Sequence, residues 1–393
     1  MTNLPQGWEV KTLSEIGEIV TGSTPSKSNL DFYGKDYPFF KPSDFEQGYF
    51  LENAGDNLSK LGFGKARQLP PKTILVVCIG SLGKVALTKV IGSCNQQINA
   101  IIPHKNIISE YIYYYCISSK FQSILFSKAP QTTLAILNKT EFSKLEIIYP
   151  KDIKEQERIV GILDFAFSKI DENIKKAKEN LANIDELMQS ALQKAFNPLN
   201  DNTKENYQLP QSWEWKSLGD TSNYGKTSQV KPSQLKGNDW ILELEDIEKE
   251  SGVLLQKVLF QDRQSKSNKI KFNKGDILFG TLRPYLKKVI IADDNGACSS
   301  EIMPFIYYYL FANFLHDRIS SLTYGARMPR LGTKDGKSLQ IPLPPLQEQE
   351  QIAEHLDFVF EKAKALKELY TKELKDYEEL KQSLLDKAFK GEL

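Results

Sequence analysis

Residues 257–288 carry nine cations (Lys257, Arg263, Lys266, Lys269, Lys271, Lys274, Arg283, Lys287 and Lys288) against two acids, Asp262 and Asp276. Phe260, Phe272, Phe279 and Tyr285 are interleaved with them. Cationic side chains neutralise phosphates and release counterions, so the stretch has the composition of a nucleic-acid surface. A solvated basic face has the same composition. Within the stretch, Thr281-Leu-Arg283-Pro-Tyr285 follows a predicted strand. An arginine on such a loop can pair with both acceptors of guanine. Gly325-Ala-Arg327-Met-Pro-Arg330 is a second small, basic, proline-bent loop, and Lys226 is a further candidate phosphate contact in the same half.

The first half offers polar rather than basic groups. Thr21-Gly-Ser-Thr24-Pro-Ser-Lys27 is a hydroxyl-rich loop, and Lys41-Pro-Ser43-Asp44 follows an aromatic strand. Ser81 and Lys84 lie in Gly80-Ser-Leu-Gly83-Lys84-Val85, which reads as a glycine hairpin between strands. Asn95-Gln96-Gln97 carries amides suited to adenine edges. Ala129-Pro-Gln131-Thr-Thr133 matches the arginine loop of the second half. Each of these is a candidate DNA contact and is equally ordinary turn chemistry.

Catalytic patterns are missing from the sequence. The glycine hairpin has the wrong spacing for a phosphate loop and no hydroxyl after its lysine. No GxGxxG follows a strand, no Pro-Asp dipeptide occurs, and Asn197-Pro-Leu199 reads as a helix stop, not an amino-methyltransferase motif. His104, His316 and His355 lie far apart, with no spacing for a metal site or triad.

The chain duplicates itself. LPQGWEVKTL at 4–13 returns as LPQSWEWKSL at 209–218, and EQERIVGILDFAF at 155–167 returns as EQEQIAEHLDFVF at 348–360. QSALQKAF at 189–196 returns as QSLLDKAF at 382–389. The middles, 20–90 and 222–290, barely match. A shared scaffold therefore carries two versions of one fold.

In 155–196 the apolar positions Ile159, Leu163, Phe167, Ile170, Ile174, Ala177, Leu181, Ile184, Met188, Ala191 and Ala195 step by fours and threes. In 348–389 the same steps run through Ile352, Leu356, Val359, Ala363, Leu366, Tyr370, Leu374, Tyr377, Leu380 and Leu384. This periodicity predicts two long helices, each about 60 Å in length, that bury their stripes on one another. Thr73–Ile79 and Asp276–Phe279 read as strands, Tyr111–Phe126 and Phe305–Ser321 as amphipathic helices, and Asn197–Asn206 as a linker. The apolar run Ile302–Leu315 reads as a buried helix. The fold class is mixed α/β (α+β): two similar domains, 1–150 and 200–345, separated by long helices at 151–199 and 346–393. Antiparallel pairing of the helices as a coiled coil predicts a pseudo-two-fold, with the domains about one DNA turn apart.

Composition agrees with a globular chain. Of 393 residues, 40% are hydrophobic and 26% charged, and no apolar run reaches membrane-spanning length. MTNLPQGWEV has no signal-peptide pattern, and the four cysteines form no CxxC pair, so a cytoplasmic chain without zinc or disulfides is expected. A net charge of +1 is low for an autonomous DNA binder and suits a reader whose partners add phosphate contacts.

The repeated L-P-x-x-W-x-x-x-x-L, variable domain, E-Q-x-x-I-x-x-x-L-D and long helix resemble the specificity (S, HsdS-type) subunits of type I restriction-modification systems. Thr21-Gly-Ser-Thr-Pro-Ser is similar to that family's first-domain motif, and Ile341-Pro-Leu-Pro-Pro-Leu-Gln-Glu-Gln349 to the lead-in of its conserved helix. Pro150-Lys-Asp-Ile-Lys-Glu155 lacks the usual proline-rich run, and Ala129-Pro130 stands where the family has glycine-serine. The resemblance implies a non-catalytic subunit for defence against foreign DNA, with two target-recognition domains that each read half of a bipartite double-stranded target. It also implies two methyltransferase (M) subunits on the helices and two restriction/motor (R) subunits able to join them. S-adenosylmethionine, ATP and magnesium would sit on those partners and no cofactor on this chain. Two other roles fit the same residues: recognition in a type II-like or solitary methylation system, and a coiled-coil adaptor that does not bind DNA.

Overall fold

The computed structural model describes residues 4–129, 135–199, 208–222, 227–263, 265–300, 302–304 and 308–393. The chain divides into two compact units, Met1–Ala177 with Lys372–Leu393, and Lys178–Thr371. The divisions fall inside the long helices. Each globular domain is thus one compact body with the beginning of one helix and the end of the other.

In the first unit, β1 (Trp8–Thr12) leads to β2 (Gly17–Thr21), β3 (Tyr33–Phe40), β4 (Phe50–Leu51) and β5 (Asp56–Leu58). Then come β6 (Ile74–Val77), β7 (Val85–Thr88), β8 (Ser93–Cys94), β9 (Ile98–Pro103) and β10 (Glu146–Pro150). A five-stranded sheet has the order β2-β9-β6-β7-β4, a three-stranded one β5-β3-β8, and β1 pairs antiparallel with β10. Strand β6, ILVV, is buried on both faces. Ile74 and Val76 face a core with Tyr111, Tyr115, Phe121 and Leu163, while Leu75 and Val77 face another with Phe40, Leu51 and Ala100. Two-sided burial explains its unbroken apolar run.

In the second unit, β11 (Glu214–Ser217) leads to β12 (Ser228–Val230), β13 (Trp240–Leu242), β14 (Lys269–Phe272) and β15 (Ile277–Gly280). Then come β16 (Val289–Ile291), β17 (Gly296–Cys298), β18 (Ile302–Pro304), β19 (Thr323–Tyr324), β20 (Arg330–Leu331) and β21 (Gln340–Leu343). Here β11 pairs antiparallel with β21, as β1 does with β10. The parallel pairing of β13 with β17 repeats that of β3 with β8. The duplication is therefore one of tertiary structure, including the segments where sequence similarity is lost.

The long helices are Ile153–Phe196 and Leu346–Ala388, close to the expected bounds. In the first unit Arg158 donates to the Leu393 carbonyl oxygen and Asp171 meets Lys381 at 2.6 Å, so the helices run antiparallel. In the second, Asp185 pairs with Lys367, while Leu192 and Phe196 share a core with Leu356. The seam departs from the expected one in places. Leu366 and Leu380 are 41% and 46% exposed, while Leu192, Phe196 and Leu385 are buried. A straight helix of 3.6 residues per turn drifts off a 3.5-residue stripe.

Two helix expectations need correction. Tyr111–Phe126 is two helices, Ser109–Ile117 and Ser119–Lys128, because Ser118 is extended and its side chain caps the second. Within 302–321, strand β18 and a 3-10 turn at Tyr308–Phe311 precede a helix at Asn313–Ser321, so Ile302–Leu315 is not one buried helix. Residues 305–307 and most of the expected linker, from 200 to 206, lie outside the described residues.

Candidate nucleic-acid interface

In the first unit, close backbone approach builds the surface. A Cβ on Gly22 would lie 2.1 Å from the Asn95 carbonyl oxygen, so only glycine lets β2 run onto the turn after β8. The Ser23 amide then donates to Cys94 O, and the Thr24 hydroxyl meets Gln96 Oε1 at 2.5 Å. Gln97 accepts from Asn95 Nδ2 at 2.8 Å and donates to the Ile79 carbonyl at 3.4 Å, beside the glycine hairpin. The hairpin forms as expected, with β6 and β7 antiparallel and Gly80 and Gly83 at φ +83° and +88°. It is tied through Gly80 N to Ala135 O. Thr24, Gln96, Gln97 and Ser81, distant in sequence, thus belong to one connected group, with Ser81 exposed at its tip. The Asn95 amide donates to Phe40 O, which places Lys41 and Ser43 next to it.

The first-half lysines differ in how their charge is used. Lys41 is paired with Asp56, and Lys84 with Glu46 at 2.5 Å, so both charges are met within the protein. The Lys84 ammonium also holds the Glu46 carboxyl below its usual range. Lys27 is exposed. Gln131 and Lys226 lie outside the described residues.

Sequence reasoning missed Arg67. It is exposed, and its backbone N–H donates to Ser23 Oγ at 3.2 Å, beside Thr24. Its signal lay in the repeat. Leu69 bridges Gly92 as Phe272 pairs with Gly296, which puts Arg67 level with Ile270 in β14, between Lys269 and Lys271.

In the second unit two expected loops come together. The Arg283 amide donates to Pro329 O at 2.7 Å, Leu331 N donates to Thr281 O at 3.0 Å, and Leu282 bridges Arg330. Arg283, Tyr285, Arg327 and Arg330 are exposed on these joined loops, and Lys287 is partly buried. Arg283 and Lys287 both have left-handed backbones, at φ +51° and +46°. By hairpin register they stand where the first unit has Gly80 and Gly83. A long side chain in that conformation costs about 1 kcal/mol or more, a cost that marks functional loops. Desolvation lowers the Lys287 pKa, against the opposing influence of Glu250 and Asp317.

The basic stretch is less free than its composition implied. Lys269 is 2% exposed, and its ammonium lies 2.6 Å from Glu243, so its charge points inward, away from any phosphate. Arg263 grips buried Asp246 with bonds of 2.5 and 2.8 Å and also pairs with Glu245. Burial alone would raise the Asp246 pKa, but bonds from Arg263, the Glu243 amide and Gln256 hold it below the usual range. Lys257 pairs with Asp293 and Asp294, and Lys288 donates to Leu244 O. These counter-ions lie outside 257–288, so a charge count of the window could not include them. Thr281 is 2% exposed, which turns it into the loop instead of toward a ligand. Lys271, opposite Ser228 in the β12–β14 pair, stays exposed.

Among the described residues, nothing in this surface resembles a reaction centre. All four cysteines are free and buried, and burial pushes the Cys78, Cys94 and Cys298 thiols up to about 12. Among the described residues no metal-binding cluster occurs and no helix is long and apolar enough to cross a membrane.

The sequence model of the type I restriction modification DNA specificity domain matches residues 5–183 and 210–375. The chain belongs to that family. Its two matches bracket the two globular domains, each with the beginning of the long helix that follows it. This specificity chain is 39% identical over 176 residues to the HindI specificity subunit of Haemophilus influenzae, covering 43% of this chain and 38% of that protein. It is 29% identical to the MjaIX specificity subunit of Methanocaldococcus jannaschii, covering 55% and 52%. With these two relatives the match therefore spans about half of their length or less. The EcoDI specificity subunit of Escherichia coli matches at 22% identity over 99% of this chain and 89% of its own. Among solved structures, a chain from a type I R-M system studied for complex assembly and conformational transition superposes with a TM-score of 0.78 at 20% identity, covering all of both chains. The HsdS subunit from Thermoanaerobacter tengcongensis gives 0.53 at 19% identity, covering 99% and 98%. At such identities these structures speak for the fold.

Proposed function

We propose that this specificity chain is the non-catalytic DNA-reading subunit of a type I restriction-modification complex. Each globular domain reads one half of a bipartite double-stranded target. The paired helices set the gap between the halves and dock two methyltransferase subunits, through which two restriction/motor subunits join. S-adenosylmethionine, ATP and magnesium belong to those partners, and the assembly works in the cytoplasm.

One observation carries this reading. The repeat keeps one hairpin register and changes the chemistry of its loop, with Gly80 and Gly83 in the first unit and Arg283 and Lys287, in a loop one residue longer, in the second, all at positive φ. A scaffold protein has no need for strained cations on a conserved hairpin. A reader of two different half-sites does, because base edges differ in donors and acceptors while the docking geometry stays the same.

The test is co-expression with the methyltransferase subunit in a methylation-free host, with modified adenines mapped by single-molecule sequencing. A two-part motif with a fixed gap is expected. An uninterrupted motif, or modification without this chain, would overturn the two-domain reading. No modification from a well-assembled complex would favour the adaptor role.

A further inference from the structure

The first unit contains a cavity of about 550 Å3, lined in part by Tyr49, Tyr113, Tyr114, Asp164, Phe167 and Asp171. Aromatic rings stand in its wall beside polar and charged groups. Tyr49 stacks on Tyr113 with centroids 4.2 Å apart and leans on Tyr114 at 5.6 Å, and Phe167 meets Tyr114 edge-on at 5.2 Å. Its charged groups are Asp164, Asp171 and Glu378 against Lys381. The Lys381 ammonium lies 5.4 Å from the Phe167 centroid and 2.6 Å from Asp171, so one cation already uses a ring and a carboxylate here. The Tyr49 hydroxyl is buried without a hydrogen-bond partner. Tyr114 lies close enough to act on it as a hydrogen-bonding neighbour, but donates its own proton to Asp164 at 2.6 Å. An unpaired buried hydroxyl is costly, and an N–H cation in the cavity would supply the missing donor.

The repeat separates this feature from the scaffold. Tyr114, Asp164 and Phe167 have counterparts in Tyr308, Asp357 and Phe360, with the same tyrosine–aspartate bond and the same edge-on rings. Tyr49 and Asp171 do not. Gly48 at φ +94° precedes Tyr49 as Gly252 at φ +71° precedes Val253, and Asp171 falls on Lys364 at the helix offset. The second unit thus has an aliphatic side chain and a cation where the first has a phenol and a carboxylate.

We infer that this cavity binds a small organic cation, an alkylammonium or guanidinium group, in a site that Tyr49 and Asp171 add to the first unit. Aromatic faces attract such groups through their quadrupoles, and the carboxylates add direct attraction. The volume is in the range of small-ligand sites.

The full chain is titrated with ethylguanidinium and with uncharged ethylurea, followed by tyrosine fluorescence. Saturable binding of ethylguanidinium is expected, and none of ethylurea. Tyr49→Val, which copies the second unit and removes the orphan hydroxyl, should weaken binding about tenfold. Glu378→Gln on the exposed rim, a change the fold tolerates, should weaken it about threefold. Equal responses to the two probes, or affinity unchanged in both variants, would overturn the site. Assembly with the methyltransferase subunit separates two sources of the cation. Assembly weakened by ethylguanidinium in the wild type but not in Tyr49→Val supports a partner side chain. Assembly indifferent to ethylguanidinium, with spermidine saturating the cavity, supports a free polyamine. That arm rests on the proposed function, whereas the titration does not, so the two can fail separately.

Discussion

Tyr114 donates its hydroxyl to Asp164 at 2.6 Å, and Tyr308 repeats the bond with Asp357. Each joins a globular domain to the beginning of the long helix that follows it, and Phe167 and Phe360 pack edge-on against the two tyrosines. Burial, followed by the bond to Asp164, raises the Tyr114 pKa, so the phenol keeps its proton at physiological pH. Tyr114→Phe and Tyr308→Phe should each cost about 1–2 kcal/mol. Because they share no partner, the losses should add in the double variant. Urea midpoints check both figures, and a double variant no weaker than a single one would contradict two separate joints.

Arg283→Gly should separate folding from reading. Glycine relieves the left-handed strain, so stability should rise by about 0.5–1 kcal/mol. If Arg283 pairs with a base as proposed, specificity at one position of one half-site should relax. Arg283→Ala should relax specificity equally without the gain in stability. A methylation map unchanged in both variants would remove Arg283 from the reading surface.

The buried Arg263–Asp246 pair predicts an acid response in the second unit. The Asp246 carboxyl is held below its usual range, so its contribution is fully present above the unfolded pKa of about 3.9 and is lost as pH falls through the lower folded value. Asp246→Asn should cost about 3–5 kcal/mol at pH 7, because it leaves Arg263 without its buried anion. The gap between wild type and variant should narrow as pH falls below about 3.9, by at most about 1.4 kcal/mol per pH unit. A gap constant from pH 7 to pH 2.5 would show that the pair is not the source.

The helices can be lengthened in register. Asp185 faces Lys367, so in an antiparallel pair Ala182 lies level with Tyr370. Four residues inserted at both sites add one turn, about 6 Å, and should widen the gap in the DNA target by roughly two base pairs. Both half-sites should be unchanged. An unaltered gap in a folded, active complex would contradict the helices' role as a spacer.

Much of this was legible in the chain. The helices announced themselves because a stripe repeated over some 40 residues has few other ways to be buried. The glycine hairpin was legible because Gly80 and Gly83 punctuate two apolar runs, and both do take positive φ. The fate of the basic stretch was not legible. Lys269 and Arg263 are answered by Glu243, Glu245 and Asp246, which come from the preceding strand and turn, and no count along the sequence pairs them. Arg67 stayed hidden for a related reason, since it comes beside Thr24 only through its bond to the Ser23 side chain, far away in the sequence.

By itself, then, the sequence determined the duplicated order of domain and helix, the lengths of the helices and the loops that could face DNA, because those depend on spacing along the chain. Tertiary structure decided which charges remain free and which loops join, as Arg283 does with Pro329. It also decided that Leu385 and Phe389, at the end of the second helix, complete the core around Tyr111 and Tyr115. These depend on distances across the fold, where pairing and burial are set by residues that are far apart in the sequence.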